Sequence, residues 1–136
     1  MSYLIDTNVL SELQRKQANL QVIAWFDARP RQSLYLSVLT LGEIRKGIAK
    51  IPAGARQQLL VDWLELELPN YFLGRVLPFD AACADRWGRL LALSRPLPAV
   101  DAMLAATALQ HDLTLVTRNT KDFEGLGVQL LNPWAV

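Results

Sequence analysis

Short apolar runs alternate with longer segments of helical periodicity along this chain. The runs at 3–5, 33–38, 75–77 and 113–117 predict buried strands, and 128–131 predicts a final edge strand. Between them, apolar residues at helical spacing predict helices that begin near Thr7 and Thr40 and span 20–26, 55–66, 81–93 and 99–109. Because parallel neighbours need a crossover connection, this alternation predicts an α/β fold in three layers with a mostly parallel central sheet.

Turn and cap residues punctuate these elements. Pro69 is expected to follow the end of the 55–66 helix, and the two prolines at 96 and 98 to separate the next two helices. Asp80 is a predicted N-cap, and Gly125 and Gly127 mark turns near the last strand. No repeat or flexible linker interrupts the pattern, so a single domain over residues 1–136 is expected.

Charge and cysteine content limit the kind of nucleic-acid contact and the cellular compartment that we expect. The 14 basic and 13 acidic residues are mixed along the chain and give a net charge of +1, so any nucleic-acid contact must be local. The single cysteine, Cys83, cannot form an internal disulfide, which suits a reducing interior. No long apolar stretch or signal-peptide pattern occurs, so we expect a cytoplasmic protein without membrane segments.

Four carboxylates, Asp6, Glu43, Asp101 and Asp122, follow predicted strands or open the next helix. Such positions meet at the carboxyl edge of a parallel sheet, where ligands of α/β folds bind. Two carboxylates about 5 Å apart repel by about 3 kcal/mol at an effective dielectric near 20, so the cluster needs a cation. Oxygen ligands favour Mg²⁺ or Mn²⁺, whereas zinc prefers His or Cys. Metal-assisted hydrolysis of a nucleic-acid strand is the leading hypothesis.

Each carboxylate also has a local structural interpretation. Glu43 completes a capping-box pattern with Thr40, and Asp101 could offset the dipole of its helix. Asp122 could form an Asx turn. Asp6 is harder to explain locally, because a carboxylate directly after an apolar strand loses hydration and needs a partner.

Five segments in this order resemble PIN-domain proteins, especially VapC-type toxins of the FitB-like branch: 4–12 (LIDTNVLSE), 37–47 (SVLTLGEIRKG), 98–101 (PAVD), 115–123 (LVTRNTKDF) and 131–134 (LNPW). The resemblance implies a PIN-like α/β/α fold and an endoribonuclease that uses Mg²⁺ or Mn²⁺ and acts as the toxin of a toxin–antitoxin module. It also implies that Asp6, Glu43, Asp101 and Asp122 are the metal-binding catalytic positions.

The same resemblance places four polar residues beside these carboxylates, as groups that orient them or a metal-bound water: Thr7, Asn8, Thr117 and Asn119. Asn119 is also a rival of Asp122 for the fourth ligand position. The implied partners are an RNA substrate, a VapB-like antitoxin whose tail covers the active site, a second copy of the chain, and DNA only through the antitoxin.

Other polar and aromatic residues have weaker assignments. Arg45, Lys46 and Arg118 could contact phosphates or form a solvated basic face. His111 suits the C-terminal end of a helix better than a catalytic role. Structural positions are expected for a further group: Trp25, Trp63 and Trp87 in the core or an interface, and Asp85 and Arg89 in a surface ion pair. Trp134 has no assignment.

Two other functions compete with the nuclease. A phosphotransferase with an aspartyl nucleophile at Asp6 would want a second Asp two residues later, but that position is Asn8. The chain could instead be a non-catalytic, antitoxin-bound component of a DNA-binding autorepressor complex, with its carboxylates receiving a basic side chain of the antitoxin.

Overall fold

A five-stranded parallel sheet forms the centre of the computed structural model, which describes residues 1–93 and 95–136. The strands are β1 (Tyr3–Ile5), β2 (Leu34–Ser37), β3 (Val76–Leu77), β4 (Thr114–Val116) and β5 (Leu130–Leu131). Their order is β3-β2-β1-β4-β5, and all four neighbouring pairs are parallel. The predicted α/β class is confirmed, and every predicted strand is present, some with fewer residues than expected.

Helices connect the strands as parallel pairing requires. They are α1 (Thr7–Leu13), α2 (Leu20–Asp27), α3 (Val38–Ala49), α4 (Ala55–Asp62), α5 (Leu68–Tyr71), α6 (Ala81–Leu91) and α7 (Ala99–Gln110). Short 3₁₀ turns lie at Arg31–Ser33 and Thr120–Phe123, and a π-helical turn at Trp63–Glu67 joins α4 to α5.

The two faces of the sheet bury separate apolar clusters. Successive strand residues point to opposite faces, so Tyr3 and Ile5 pack with α1 to α5, whereas Leu4 packs with α6 and α7. Trp25 and Trp63 are buried in the first cluster, as predicted, and Trp87 packs against the second. The predicted three-layer arrangement is confirmed.

The strand order locates the expected binding edge. From β1 the chain passes to β2 and β3 on one side, and β4 then pairs with the other side of β1. Connections therefore diverge between β1 and β4, and such a switch point opens a crevice at the carboxyl ends of the strands. Asp6 follows β1 and Thr117 follows β4 at this edge.

The start of α3 corrects the sequence prediction for Thr40 and Glu43. The helix begins at Val38, and the Ser37 side chain caps it by accepting a hydrogen bond from the Leu39 N–H at 3.1 Å. Ser37 has the extended backbone that an N-cap requires, so the helix starts as soon as β2 ends. Thr40 lies inside the helix, and the capping-box interpretation of Glu43 is wrong.

The helix after residue 55 also differs from its prediction. It does not end before Pro69 but continues through the π-helical turn Trp63–Glu67 into α5. In that turn the Leu68 N–H bonds the Trp63 carbonyl, five residues back. The widened turn lets Pro69, which lacks an N–H, follow without ending the helix. The sequence pattern carries no signal for a π turn.

A matched pair of substitutions checks the observed cap. We expect Ser37→Ala to lower the free energy of unfolding by about 1 kcal/mol, because the Leu39 N–H loses its acceptor. Thr40→Val should leave stability equal or higher, because the buried Thr40 hydroxyl has no hydrogen-bond partner among the described residues. Urea unfolding measures both variants. A larger loss at Thr40 than at Ser37 would contradict this assignment.

Several smaller predictions are confirmed. Asp80 caps α6 by accepting from the Cys83 N–H, and Asp85 and Arg89 form an exposed ion pair at 3.1 Å. Gly125 and Gly127 have φ values of 81° and 82°, which only glycine adopts without strain. In the two described stretches of the chain, no helix has the length and apolar character needed to cross a membrane.

Candidate active site

Asp6 lies where β1 ends and α1 begins, with its side chain only 8% exposed. The carboxylate caps α1 by accepting from the Thr7 N–H at 2.7 Å, so Asp6 is the N-cap of the helix that was predicted to begin near Thr7. Its other oxygen accepts from the Thr117 hydroxyl at 2.8 Å and from the Asn8 amide at 3.3 Å. These donors come from α1, which follows β1, and from the residue directly after β4, so they belong to the two connections that leave the switch point.

Glu43 and Asp101 come from two other elements. Glu43 lies on α3 and accepts a hydrogen bond from the Thr7 hydroxyl at 2.7 Å, which links α3 to the start of α1. Asp101 lies in the first turn of α7, where its charge is also favourable to the helix dipole. Asp101 can therefore offset the dipole of α7 and also bind a cation.

One open cavity of about 590 Å³ brings these carboxylates together. Its acidic side is formed by Asp6, Glu43 and Asp101, and Thr7, Asn8 and Asn119 also line it. Thr117 is fully buried behind Asp6. The structure thus places the four predicted accessory residues in or directly behind the cavity.

Burial and crowding shift the pKa values of two carboxyl groups. Loss of hydration, with a smaller contribution from the charges of Glu43 and Asp101, raises the pKa of Asp6 from 3.8 to about 6, although hydrogen bonds from Thr117 and Thr7 act to lower it. Burial also raises the pKa of Asp101, followed by repulsion from Asp122 and Glu43. Among the described residues, none of these four carboxylates forms an ion pair. The desolvation expected for Asp6 is confirmed.

Asp122 occupies a different position from the other three carboxylates. It lies in the 3₁₀ turn Thr120–Phe123, where its N–H bonds the Asn119 carbonyl. Its charge reaches Asp101, but Asn119, not Asp122, lines the cavity. In the described part of the chain, no N–H donates to the Asp122 carboxylate, so the Asx turn considered for it is not formed.

The donor set fits a hard divalent cation. The acidic side of the cavity offers carboxylate, hydroxyl and amide oxygens, and no His or Cys of the described residues lines it. Within residues 1–93 and 95–136, no three carboxylate, imidazole or thiol groups are gathered tightly enough to enclose a metal ion. Repulsion among like charges favours this open arrangement, and a divalent cation would offset it.

The three basic residues considered as phosphate contacts lie in different places. Arg118 lines the cavity, whereas Arg45 pairs with Glu65 and Lys46 borders a neighbouring hollow beside Glu43. His111 ends α7 near Met1 and Ser2, at the amino ends of the strands.

Sequence reasoning missed five residues at this cavity: Ser11, Glu12, Arg15, Arg56 and Trp134. A signal for two of them exists, because Glu12 lies four residues after Asn8 on α1, and Arg15 follows Glu12 by three residues, just past the end of that helix. Arg56 and Trp134 reach the cavity only through the tertiary fold.

Comparison with protein-family models gives the decisive match. The PIN-domain model matches residues 3–128. The chain belongs to the PIN-domain family.

Three relatives of this PIN domain support the match along almost the whole chain. StbB, a plasmid stability protein of Pseudomonas syringae pv. tomato, is 44% identical over 96% of this chain and 97% of its own length. The VapC ribonuclease Y4jK of Sinorhizobium fredii is 39% identical over 96% of both chains. Toxin FitB of Neisseria gonorrhoeae is 38% identical over 96% and 97%.

Solved PIN-domain structures share the fold closely. FitAcB from Neisseria gonorrhoeae matches with a TM-score of 0.93 and 38% identity, covering 98% of this chain and 99% of that one. FitAB bound to an IR36 DNA fragment matches at 0.92 and 36%, covering 98% and 96%. A toxin–antitoxin complex from Klebsiella pneumoniae matches at 0.70 and 28%, covering 97% and 98%. The predicted likeness to VapC-type and FitB-like proteins is confirmed.

Proposed function

We propose that this PIN domain is a divalent-metal-dependent endoribonuclease and the toxin of a toxin–antitoxin module. The observation that carries the proposal is the convergence of Asp6, Glu43 and Asp101 on one cavity, without an ion-pair partner in the described part of the chain. The relative named VapC ribonuclease supports RNA as the substrate, and the relative named Toxin FitB supports the toxin role.

The residues of the chain hold and orient the site in this proposal. Asp6, Glu43 and Asp101 bind Mg²⁺ or Mn²⁺, and Asp122 adds negative charge beside Asp101, with Asn119 as its rival for a direct contact. A bound cation of this kind activates water for attack on a phosphodiester and offsets charge on the leaving oxygen.

Hydroxyl and amide groups fix the carboxylates before the cation binds. Thr117 and Asn8 donate to one oxygen of Asp6, and Thr7 donates to Glu43, so these carboxylates lose little conformational freedom when they bind. The arrangement depends on β1 and β4 being neighbours, because Asp6 and Thr117 follow those two strands.

An antitoxin is the proposed protein partner. The match to a toxin–antitoxin complex supports it, and the match to FitAB on DNA supports contact with DNA through that partner. These matches also favour the second candidate function, a non-catalytic component of an autorepressor complex. A homodimer and a cytoplasmic location stay predictions.

Removal of the metal distinguishes a metal-dependent nuclease from a non-catalytic component of an autorepressor complex. We expect antitoxin-free protein to cleave RNA in millimolar Mg²⁺ or Mn²⁺, and excess EDTA to lower the rate at least about 100-fold, because the carboxylates then have no cation to hold. Initial rates on an end-labelled RNA measure this loss. Adding Mg²⁺ in excess of EDTA should restore the rate.

A mock purification from cells without the gene controls for contaminating nucleases. Protein that leaves RNA intact in both metals, or cleaves it equally in EDTA, would contradict the nuclease proposal. Retention of antitoxin binding in inactive protein would then support the non-catalytic role.

A further inference from the structure

Positively charged side chains line the same cavity as the carboxylates. They belong to Arg15, Arg56 and Arg118, and we name Arg15 and Arg118, together with Trp134, the basic wall. Arg15 pairs with Glu12 in this cavity, but in the described part of the chain neither Arg15 nor Arg118 forms an ion pair with Asp6, Glu43 or Asp101.

Glu12 anchors Arg15. The Glu12 side chain is 6% exposed and pairs with the Arg15 guanidinium at 3.2 Å, while the Arg15 side chain stays 65% exposed. The second carboxylate oxygen of Glu12 accepts from the Asn19 N–H at 2.8 Å, which also lowers the pKa of Glu12. Both oxygens of Glu12 are thus engaged, one of them by the guanidinium, so this buried carboxylate fixes the position of Arg15.

Trp134 anchors Arg118. The guanidinium carbon of Arg118 lies 4.9 Å from the centre of the Trp134 ring, a cation–π contact. Trp134 itself packs against the apolar cluster beneath α1 to α5, and its backbone N–H donates to the Asn132 side-chain oxygen at 2.9 Å. Stacking occupies a face of the guanidinium and leaves the N–H groups at its edge able to donate.

The backbone fixes this wall relative to the catalytic carboxylates. The Arg118 N–H donates to the Asn8 side-chain oxygen at 3.2 Å, and the Asn8 amide donates to Asp6 at 3.3 Å. Arg118 and Asp6 are therefore two steps apart in one hydrogen-bond network.

We propose that Arg15 and Arg118 bind backbone phosphates of the RNA substrate, and that Glu12 and Trp134 are positioning residues that hold these guanidinium groups beside the carboxylates. The inference rests on the proposed function and identifies its substrate-binding side chains. Guanidinium groups ordered before RNA arrives lose less conformational entropy on binding. An acidic protein segment fits less well, because the proposed cleavage requires a phosphodiester beside Asp6, Glu43 and Asp101 and so brings neighbouring phosphates of the same strand to this cavity.

Binding and its salt dependence test the phosphate contacts separately from cleavage. In an Asp6→Asn background, we expect Arg118→Ala and Arg15→Ala each to raise the Kd for a fluorescent single-stranded oligoribonucleotide about tenfold. Each should also reduce the slope of log K against log salt by about 0.7. Arg89→Ala, on the exposed side of α6, is the matched control and should leave both quantities unchanged.

Coupled substitutions test the positioning roles. Trp134→Ala should weaken binding, Trp134→Phe should restore most of it, and Trp134→Ala should add little in an Arg118→Ala background. Glu12→Gln keeps an acceptor for the Asn19 N–H but loses the ion pair, so it should weaken binding only while Arg15 is present. A merely structural role would give additive losses instead, and additivity would overturn the positioning assignment.

The outcomes also separate this inference from the proposed function. RNA binding that is unchanged by Arg15→Ala and Arg118→Ala would overturn the inference, even if the wild-type protein cleaves RNA. If the arginine variants lose RNA binding as expected but the wild type cleaves no RNA, the inference holds and the nuclease proposal fails. Loss of affinity for an acidic peptide with RNA binding intact would reassign the basic wall to a protein partner.

Discussion

Replacing Asp101 by asparagine is expected to lower the rate of RNA cleavage at least about 100-fold in saturating Mg²⁺. Asparagine keeps the size of the side chain but removes the negative charge that the proposed cation needs. Because Asp101 is in the first turn of α7 and takes part in no side-chain cap, the fold should tolerate the change. Initial rates on an end-labelled RNA measure the loss, and circular dichroism verifies the fold.

A graded series makes this result specific. Asp85→Asn removes a carboxylate from the exposed ion pair on α6 and should leave the rate unchanged. Asp122→Asn should cost less than Asp101→Asn, because Asp122 does not line the cavity and its charge acts on Asp101. An Asp101→Asn protein that cleaves within threefold of the wild type would contradict the proposed metal-binding role.

The carboxylate cluster shows what sequence can predict about such a site. Asp6 follows an apolar strand directly, so its burial and need for partners follow from local sequence alone. Glu43 and Asp101 required one more step, the expectation that carboxyl ends of parallel strands share an edge. The structure places all three on one cavity, which is as far as pattern and topology could lead.

Local sequence patterns gave wrong helix ends where the same residues also fitted another structure. The sequence from Thr40 to Glu43 matches a capping box, yet the helix starts at Val38 because Ser37, at the end of β2, already supplies a cap. Pro69 looked like a helix end, but the π-helical turn before it removes the conflict. In both cases the outcome depends on the backbone conformation, the early start of α3 or the π-helical turn, which the sequence pattern does not specify.

Arg118 was already a candidate phosphate contact from the sequence, but the other two residues of the basic wall were missed for a different reason. Arg15 and Trp134 are more than a hundred residues apart in sequence, and only the tertiary fold brings them to one cavity. Exposed arginines are common, and nothing in their local sequence separates a held guanidinium from a solvated one. The buried partner Glu12 is the more informative residue, because a buried carboxylate requires compensation.

Asp6→Asn is expected to stabilise the metal-free protein at neutral pH while it abolishes stabilisation by Mg²⁺. The pKa of Asp6 rises on folding from 3.8 to about 6, which is about 2 units, and at about 1.36 kcal/mol per unit the cost of the ionised form is about 3 kcal/mol. The folded state prefers the protonated carboxyl. Wild-type stability from this group is therefore complete below pH 4 and is lost as pH rises through 6.

Asparagine avoids this cost but holds Thr117 and Asn8 less well than a carboxylate does, so we expect a net gain of about 1–2 kcal/mol at pH 7.5 in EDTA. Thermal and urea unfolding of both proteins at pH 4 and pH 7.5 measure the difference, and subtracting them removes the other titrating groups. The gain should disappear at pH 4. Millimolar Mg²⁺ should raise the melting temperature of the wild type only, because ligand binding stabilises the state that binds it. Equal shifts in both proteins, or a gain that is larger at pH 4 than at pH 7.5, would contradict a buried, ionised Asp6 as the centre of the metal site.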